Sequence, residues 1–301
     1  MELRTLEYFV AVAEEGSFTK AAARCHVVQP AISQQIQGLE RELGEPLFDR
    51  GPRRVVLTAG GAALLPHARA ALAAAKAASL EFAGRAGRLG GSLALGTVGG
   101  LEATRFPYLL GEYHRRHPGV TVDVTGQSSP SLLAAVRNGT LDGAVMAEPR
   151  EDLSEILGSC VLLRDWIVAA LPAGGSADRP LTLDEVSKAP VITYGPDSGV
   201  HGFISEAFAA RGLPFEIAYA TNNVALQLAL VVEKVGIALV PHSSPALSAD
   251  SRVVAVPLIP AISFNKVFAW RLDNQMNPPL RAFLEMWSES DEPGAGSEAA
   301  G

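Results

Sequence analysis

The stretch that decides the fold is residues 17–43, SFTKAAARCHVVQPAISQQIQGLEREL, which has the pattern of two short helices joined by a tight connection. Ser17 can cap the start of the first helix, and the three alanines that follow favour that helix. Residues 25–28 predict a break. Pro30 suits the first turn of the second helix, because a proline there loses no intrahelical hydrogen bond. The spacing therefore predicts a compact helix pair.

The second helix of the pair has two different faces. Its apolar positions recur every three or four residues and predict a buried stripe, made of Ile32, Ile36, Leu39 and Leu43. The opposite face carries Pro30, Gln34, Gln37 and Arg41, with Ser33 at its edge. Amide and hydroxyl side chains near a helix start can read base edges in the major groove of DNA. A helix-turn-helix is favoured; the alternative is an ordinary amphipathic surface helix.

The flanking residues extend this unit on both sides. An apolar stripe before it predicts a third helix, through Leu3, Leu6, Phe9, Val10 and Ala13. Gly44 should end the second helix of the pair. A turn at Gly51-Pro52 and a strand at 55–57 then predict a β-ribbon wing, with arginines around its tip that suit phosphate contacts: Arg50, Arg53 and Arg54.

Charge does not by itself favour DNA binding. Residues 1–58 carry seven Lys and Arg against eight Asp and Glu. A single domain of this charge should bind DNA poorly. Binding requires the positive side chains on one face and two copies acting together.

The N-terminal block resembles the DNA-binding domain of the LysR-type transcriptional regulators. The resemblance runs through LEYFVAVAEEGSFTKAAA at 6–23, QPAISQQIQGLERELGEPLFDR at 29–50 and LTAGGAAL at 57–64. It implies that the second helix reads DNA and that the wing contacts the backbone. The base-reading candidates are then Gln29, Pro30, Ser33 and Gln34, with Gln37 on the same face, and the phosphate-binding candidates are Arg53 and Arg54.

A long helix should follow, from about Ala59 to Gly84, with Thr58 as its cap and a kink at Pro66. Its heptad-like stripe consists of Leu65, Ala68, Leu72, Ala75, Ser79 and Phe82. Such a stripe either packs on the helix's own domain or forms a dimer seam, and the family resemblance favours the dimer. The glycine-rich segment GRAGRLGGS at 84–92 indicates a hinge.

Strands and helices alternate in residues 92–290, with helices expected at 101–117 and 131–138 among them, which predicts a parallel, doubly wound α/β architecture. We expect two lobes joined by two crossovers, like the periplasmic binding-protein fold. Lobe I should comprise about 92–160 and 266–290, and lobe II about 161–265. The effector domain of the resembled family has this fold, and LDGAVM at 141–146 and VVEKVGIALVP at 231–241 are comparable segments.

Ligands of open α/β sheets bind beyond the carboxyl ends of strands, often at helix N-termini. The effector-binding candidates at such positions are Thr97, Gly99, Ser128, Ser129, Met146, Thr193, His201, Phe203 and Asn222. Serine and threonine also cap helices without binding anything, and a lone histidine often only packs. Relatives that bind organic acids can carry an arginine where this chain has Met146, which disfavours a strongly anionic ligand.

The whole chain has 301 residues, a net charge of −7 and 48% hydrophobic residues, typical of a globular protein with about two domains. It shows neither a signal peptide nor a membrane-spanning run, so we expect a cytoplasmic protein. Cys25 and Cys160 do not suggest a disulfide framework. The acidic tail from Asp291 to Gly301 should be disordered.

Catalysis is disfavoured, because no nucleophile elbow, phosphate loop, dinucleotide fingerprint or metal cluster occurs in the sequence. We expect no cofactor beyond a small-molecule effector. The chain is thus predicted to be a winged helix-turn-helix regulator of DNA that forms homodimers or homotetramers, with RNA polymerase as a candidate further partner. The alternatives are a solute-binding protein of a transport system and an enzyme on the same scaffold.

Overall fold

The computed structural model describes residues 1–50, 55–85, 89–174, 179–272 and 276–291. Three helices and a two-stranded antiparallel ribbon form the N-terminal domain: α1 (Leu3–Glu15), α2 (Phe18–Arg24), α3 (Gln29–Leu43), β1 (Phe48–Arg50) and β2 (Val55–Leu57). The tip of the ribbon, residues 51–54, lies outside the described residues. The predicted helix pair and wing are confirmed.

Local sequence signals set the ends of these helices. The Ser17 hydroxyl accepts a hydrogen bond from the Lys20 N–H at 3.4 Å and so caps α2. Gly16 and Gly44 end α1 and α3 in the left-handed conformation, at φ of 57° and 82°. His26 also adopts a positive φ, in the connection that turns the chain from α2 into α3. These turns allow α3 to pack against both α1 and α2 in one core.

The apolar stripe of α3 anchors it in the core of this domain. Ile32, Ile36 and Leu39 are buried, and they belong to one cluster with residues of α1, α2 and the wing. Leu43 is exposed, so its predicted place in the stripe was wrong. It is the last residue of α3, beyond the reach of the core. Burial of three large side chains fixes the rotation of α3 about its axis.

Helix α4 (Ala59–Arg85) follows the wing, and the Thr58 hydroxyl accepts a hydrogen bond from the Gly61 N–H at 3.1 Å. The first half of its stripe packs on its own domain: Ala68 is buried there, and Leu65 and Leu72 contact the same core. The side chains of Ser79 and Phe82, in the second half of the predicted stripe, lie outside the described residues.

The second domain is built on one sheet with the strand order β4-β3-β5-β11-β6-β10-β8-β9, and β7 pairs with β11. Its strands are β3 (Gly91–Thr97), β4 (Val120–Gly126), β5 (Gly143–Ala147), β6 (Leu157–Pro172), β7 (Leu181–Thr182), β8 (Val191–Thr193), β9 (Ile217–Ala220), β10 (Ile237–Pro241) and β11 (Val253–Arg271). Its helices are α5 (Phe106–Arg116), α6 (Ser129–Arg137), α7 (Leu183–Val186), α8 (Gly199–Ala209), α9 (Val224–Val232), α10 (Pro245–Ala249) and α11 (Pro278–Asp291).

Two long antiparallel strands, β6 and β11, join the lobes. Lobe I contains β3, β4 and β5, which are parallel, and lobe II contains the parallel strands β8, β9 and β10. The boundaries expected at 160/161 and 265/266 therefore fall inside continuous strands. The two crossovers between the lobes are therefore hydrogen-bonded parts of the sheet.

Several helices begin later or earlier than their sequence pattern suggests. The helix expected from Leu101 begins at Phe106, because Thr104 turns the chain: its hydroxyl donates to the Leu101 carbonyl at 2.7 Å and accepts from the Phe106 N–H at 3.2 Å. Helix α6 starts two residues before the expected Ser131, so its first turn extends to Ser129.

Candidate nucleic-acid interface and ligand cleft

The polar edge of α3 is accessible to a partner molecule. Gln29, Pro30, Gln34 and Gln37 are exposed, and Ser33 is half-buried. The Gln29 Nε2 donates a hydrogen bond to the Ser33 Oγ at 2.8 Å. All five predicted base-reading residues are therefore at least partly exposed: Pro30, Gln34 and Gln37 lie opposite the buried stripe, and Gln29 and Ser33 lie at its edge, where hydrogen-bonding groups can meet base edges.

The wing is fixed to α3 by a side chain. The Glu40 Oε1 accepts from the backbone N–H of Leu47 at 2.9 Å and of Phe48 at 3.4 Å. On the other side, the Val55 N–H donates to the Gly16 carbonyl at 3.2 Å. The wing thus has a defined position beside α3. The phosphate candidates Arg53 and Arg54 lie outside the described residues, and so does the side chain of Arg50.

Val28 is a candidate interface residue that the sequence analysis missed. It occupies the N-cap position of α3, and 69% of it is exposed. An apolar side chain at the groove-facing end of such a helix can contact a thymine methyl group. Nothing in its sequence context distinguishes this valine from one in a core, because only the tertiary packing leaves it exposed.

A cavity of about 600 Å³ lies between the two lobes. Lobe I contributes the loop after β3 and the start of α6, and lobe II contributes the starts of α8, α9 and α10. Four predicted effector residues line it: Gly99, Ser128, Ser129 and Asn222. The Ser129 Oγ also accepts from the Ala147 N–H at 3.2 Å, which ties the start of α6 to the end of β5.

The other five predicted effector residues are not among those that line the cavity. Met146 and Thr193 are fully buried within β5 and β8, so a ligand in the cavity cannot touch their side chains. Thr97 ends β3, where its carbonyl accepts from the Gln127 N–H at 3.1 Å. Sequence alone located these strand ends but not the direction of each side chain.

His201 and Phe203 lie on α8 behind the cavity wall. The two ring nitrogens of His201 are 3.0 Å from the Tyr194 carbonyl oxygen and 3.0 Å from the Ser205 Oγ. The Phe203 ring packs against the ring of Phe264, with centroids 5.7 Å apart. Both residues therefore support the wall from behind. The contacts of His201 agree with the alternative that this histidine only packs.

Several lining residues were not among the individually named effector candidates. They are polar or charged at the floor and rim, as in Ser198, Asn223 and Lys266, and apolar on the wall, as in Tyr194, Val200, Val224 and Phe264. Burial raises the pKa of the Tyr194 hydroxyl, and the nearby Asp165 carboxylate adds to the effect, so the phenol stays neutral. A charged residue inside an apolar strand, such as Lys266 in β11, was the signal that could have indicated a site.

No cluster of three or more potential metal ligands occurs in the part of the chain that the structure describes. Within those same residues, none of the helices combines the length and apolar character needed to cross a bilayer.

Family models and relatives agree with this arrangement. The model "Bacterial regulatory helix-turn-helix protein, lysR family" matches residues 3–62, and "LysR substrate binding domain" matches residues 86–291. The chain is 33% identical to the HTH-type transcriptional regulator IlvR of Caulobacter vibrioides over 96% of this chain and 98% of the relative. It is 34% identical to ShiR of Corynebacterium glutamicum over 84% and 87% of the two chains.

Solved structures show the same architecture. Full-length CbnR complexed with its target DNA aligns with a TM-score of 0.63 and 25% identity, over 96% of this chain and all of that one. Full-length BenM aligns with a TM-score of 0.57 and 27% identity, over 96% of each chain. The exposed edge of α3, the wing and the two-lobed cleft thus occur together in a chain that belongs to the LysR family of DNA-binding transcriptional regulators, with an effector-binding domain.

Proposed function

We propose that the N-terminal end of α3 reads an operator in the major groove, and that a small molecule in the cleft between the lobes controls this binding. The observation that carries the proposal is the orientation of α3. Because Ile32 and Ile36 are fully buried on one side, Gln34 is exposed on the other. A rigid helix that presents uncharged donors and acceptors at its start is suited to base reading.

Two copies of the chain should act together on one operator. The N-terminal domain has no net positive charge, so paired domains are needed for adequate affinity. We propose a homodimer, or a homotetramer made of two dimers, with the second half of α4 as a seam. The two N-terminal domains of a dimer then require two half-sites with a fixed spacing. RNA polymerase remains a candidate partner at the promoter.

The cavity supplies the means of control. It is lined by residues of both lobes, so a ligand bound there has different contacts when the lobes open or close. A ligand shifts a conformational equilibrium only through such a difference in affinity. We propose that this shift changes the spacing between the N-terminal domains of the paired chains. Membership of a regulator family supports a role in the cytoplasm without catalysis or a cofactor.

Selection of genomic DNA fragments by the full-length protein, followed by footprinting, tests the proposal. The wild type should protect discrete sites with two similar halves. Gln34→Ala should change or lose the preferred sequence. Gln35→Ala is the matched control, since Gln35 is the next residue of α3 but its side chain accepts a hydrogen bond from Thr5 of α1 at 3.0 Å. Equal footprints for wild type and Gln34→Ala would refute the assignment of α3.

A further inference from the structure

Lys266 is an unusual component of the cavity. It is the only cationic side chain among the described residues that line the cavity, and only 4% of it is exposed. A buried ammonium group is costly unless charged and hydrogen-bonding partners compensate for its lost hydration. Its position on β11, a strand that joins the lobes, places this charge at the floor of the cleft.

The ammonium group is held in place from below. Its Nζ is 3.2 Å from the Asp165 Oδ2 on β6 and donates to the Ser243 Oγ at 2.9 Å. The Asp165 carboxylate is itself fixed, because its Oδ1 accepts from the Trp166 N–H at 2.9 Å and the Ser243 N–H at 3.2 Å. These contacts use two of the three N–H donors of Lys266. Nζ lies close to Gly100, another lining residue, because a Cβ atom added to Gly100 would be 3.9 Å from it.

The surrounding charges limit the ligand to a single negative charge. Helices α6 and α9 begin at the cavity, and their N-termini carry partial positive charge. Asp165 offsets the charge of Lys266, and Glu102 adds a carboxylate at the rim. A second negative charge on the ligand would find no second cation among the described lining residues. A single carboxylate is therefore the better electrostatic match.

One wall of the cavity determines the rest of the ligand. It is formed by Tyr194, directly after β8, by Val200 of α8, by Val224 of α9 and by Phe264, two residues before Lys266 on β11. An apolar body packed on this wall gains from burial while its polar end faces the floor.

We infer that the effector is a monocarboxylate with a compact apolar body, and that Lys266 donates a hydrogen bond to its carboxylate. The inference depends on the proposed ligand-responsive function and names the chemical class of the ligand. Because the desolvation of Lys266 is already compensated in the empty protein, a new charge-assisted hydrogen bond has to offset only the desolvation of the ligand's carboxylate.

Thermal unfolding of the full-length protein with matched probes tests this class. The probes are hexanoate and cyclohexanecarboxylate, their primary amides, and the dicarboxylate adipate. The monocarboxylates should raise the Tm by about 2–4 °C at saturating concentration. The amides and adipate should have little effect. Lys266→Met should weaken carboxylate binding roughly ten- to a hundredfold.

Lys188→Met is the matched control, because Lys188 also pairs with an aspartate, Asp184, but on the exposed surface. It should keep the full response to the carboxylates. If Lys266→Met does not fold, the double variant Asp165→Asn/Lys266→Met removes both buried charges together and should fold while lacking the response. Glu102→Gln, an exposed change, should tighten carboxylate binding and leave amide binding unaltered.

The inference is overturned if amides stabilise the protein as well as carboxylates do, if the response survives loss of Lys266, or if no monocarboxylate raises the Tm of the wild type. In each of these cases operator footprints by the same preparation would still support the proposed function. Loss of specific footprints would instead refute the proposed function itself.

Discussion

The side chains of Gln29 and Ser33 form a hydrogen-bonded pair, 2.8 Å from Nε2 to Oγ, on the exposed edge of α3. They are four residues apart and therefore neighbours on the helix surface. The contact leaves the side-chain oxygen of Gln29, Oε1, and the hydroxyl hydrogen of Ser33 available to DNA. The pair thus holds one acceptor and one donor in a fixed relation before the DNA arrives.

Ser33→Ala should relax the sequence preference of the protein, because it removes one base-reading group and frees Gln29 to rotate. We expect a loss of about 1–3 kcal/mol in discrimination at one base pair in each half-site. Affinity for unrelated DNA should change little. Competition binding with single-base operator variants measures both quantities. An unchanged ranking of these variants would contradict the role of the Gln29–Ser33 pair.

Arg53→Ala should weaken binding to all sequences alike, since a wing arginine is expected to contact phosphate rather than bases. The slope of log affinity against log salt concentration should decrease by about 1 for each subunit that loses the contact. Titrations at several salt concentrations measure this slope. An effect confined to one operator sequence would indicate base reading by Arg53 instead.

Gly199→Ala should destabilise the second domain by separating its lobes. A Cβ atom on Gly199, at the start of α8, would lie 2.7 Å from both Cβ and Oγ of Ser129, at the start of α6. Overpacking of this kind costs about 1–3 kcal/mol. Denaturant unfolding measures the cost. Gly99→Ala is the control, because a Cβ there would meet nothing within 4 Å although Gly99 also lines the cavity.

The ion pair of Arg179 with Glu185 should make a small contribution to stability that disappears in acid. Hydrogen bonds from Arg179 and from the Thr182 N–H and hydroxyl lower the pKa of Glu185 to about 2. A lowered folded-state pKa stabilises the protein above the ordinary glutamate pKa of about 4.3, and this contribution is lost as the pH falls towards 2.

Melting curves of the wild type and Glu185→Gln should therefore differ at pH 6 and converge as the pH falls from about 4.3 towards 2. Glu155→Gln, which removes an exposed carboxylate elsewhere in the same domain, controls for the change in net charge. A Tm difference between wild type and Glu185→Gln that persists at the acid end of this range would contradict the assignment.

Local signals in the sequence were sufficient for the N-terminal domain. The cap at Ser17, the glycine at position 44 and the stripe through Ile36 each act over a few residues, and they set the helix ends and the buried face without help from distant parts of the chain. At the end of α3 the apolar spacing gave a wrong prediction of burial. Leu43 has the spacing of the buried stripe, but it is the last residue of the helix and is exposed.

The ligand cleft could be predicted only in outline. Strand and helix alternation located the residues at strand ends, and four of the nine candidates line the cavity. Met146 and Thr193 are instead buried within their strands, because the direction of a side chain at a strand end depends on the pairing of that strand, and His201 and Phe203 lie on α8 behind the wall. Met146, for example, lies in register with Val267 of β11, which is 121 positions later in the chain.

The sequence by itself determined the helix pair that presents Gln34 and the alternating order of the second domain, since these depend on short-range periodicity. Its N-terminal motifs also carried the resemblance that indicated the family. Only the tertiary structure brought together Asp165, Ser243 and Lys266, which lie on three segments far apart in the chain. Their contact requires the long antiparallel pairing of β6 with β11, and a pairing between distant strands leaves no mark in local composition.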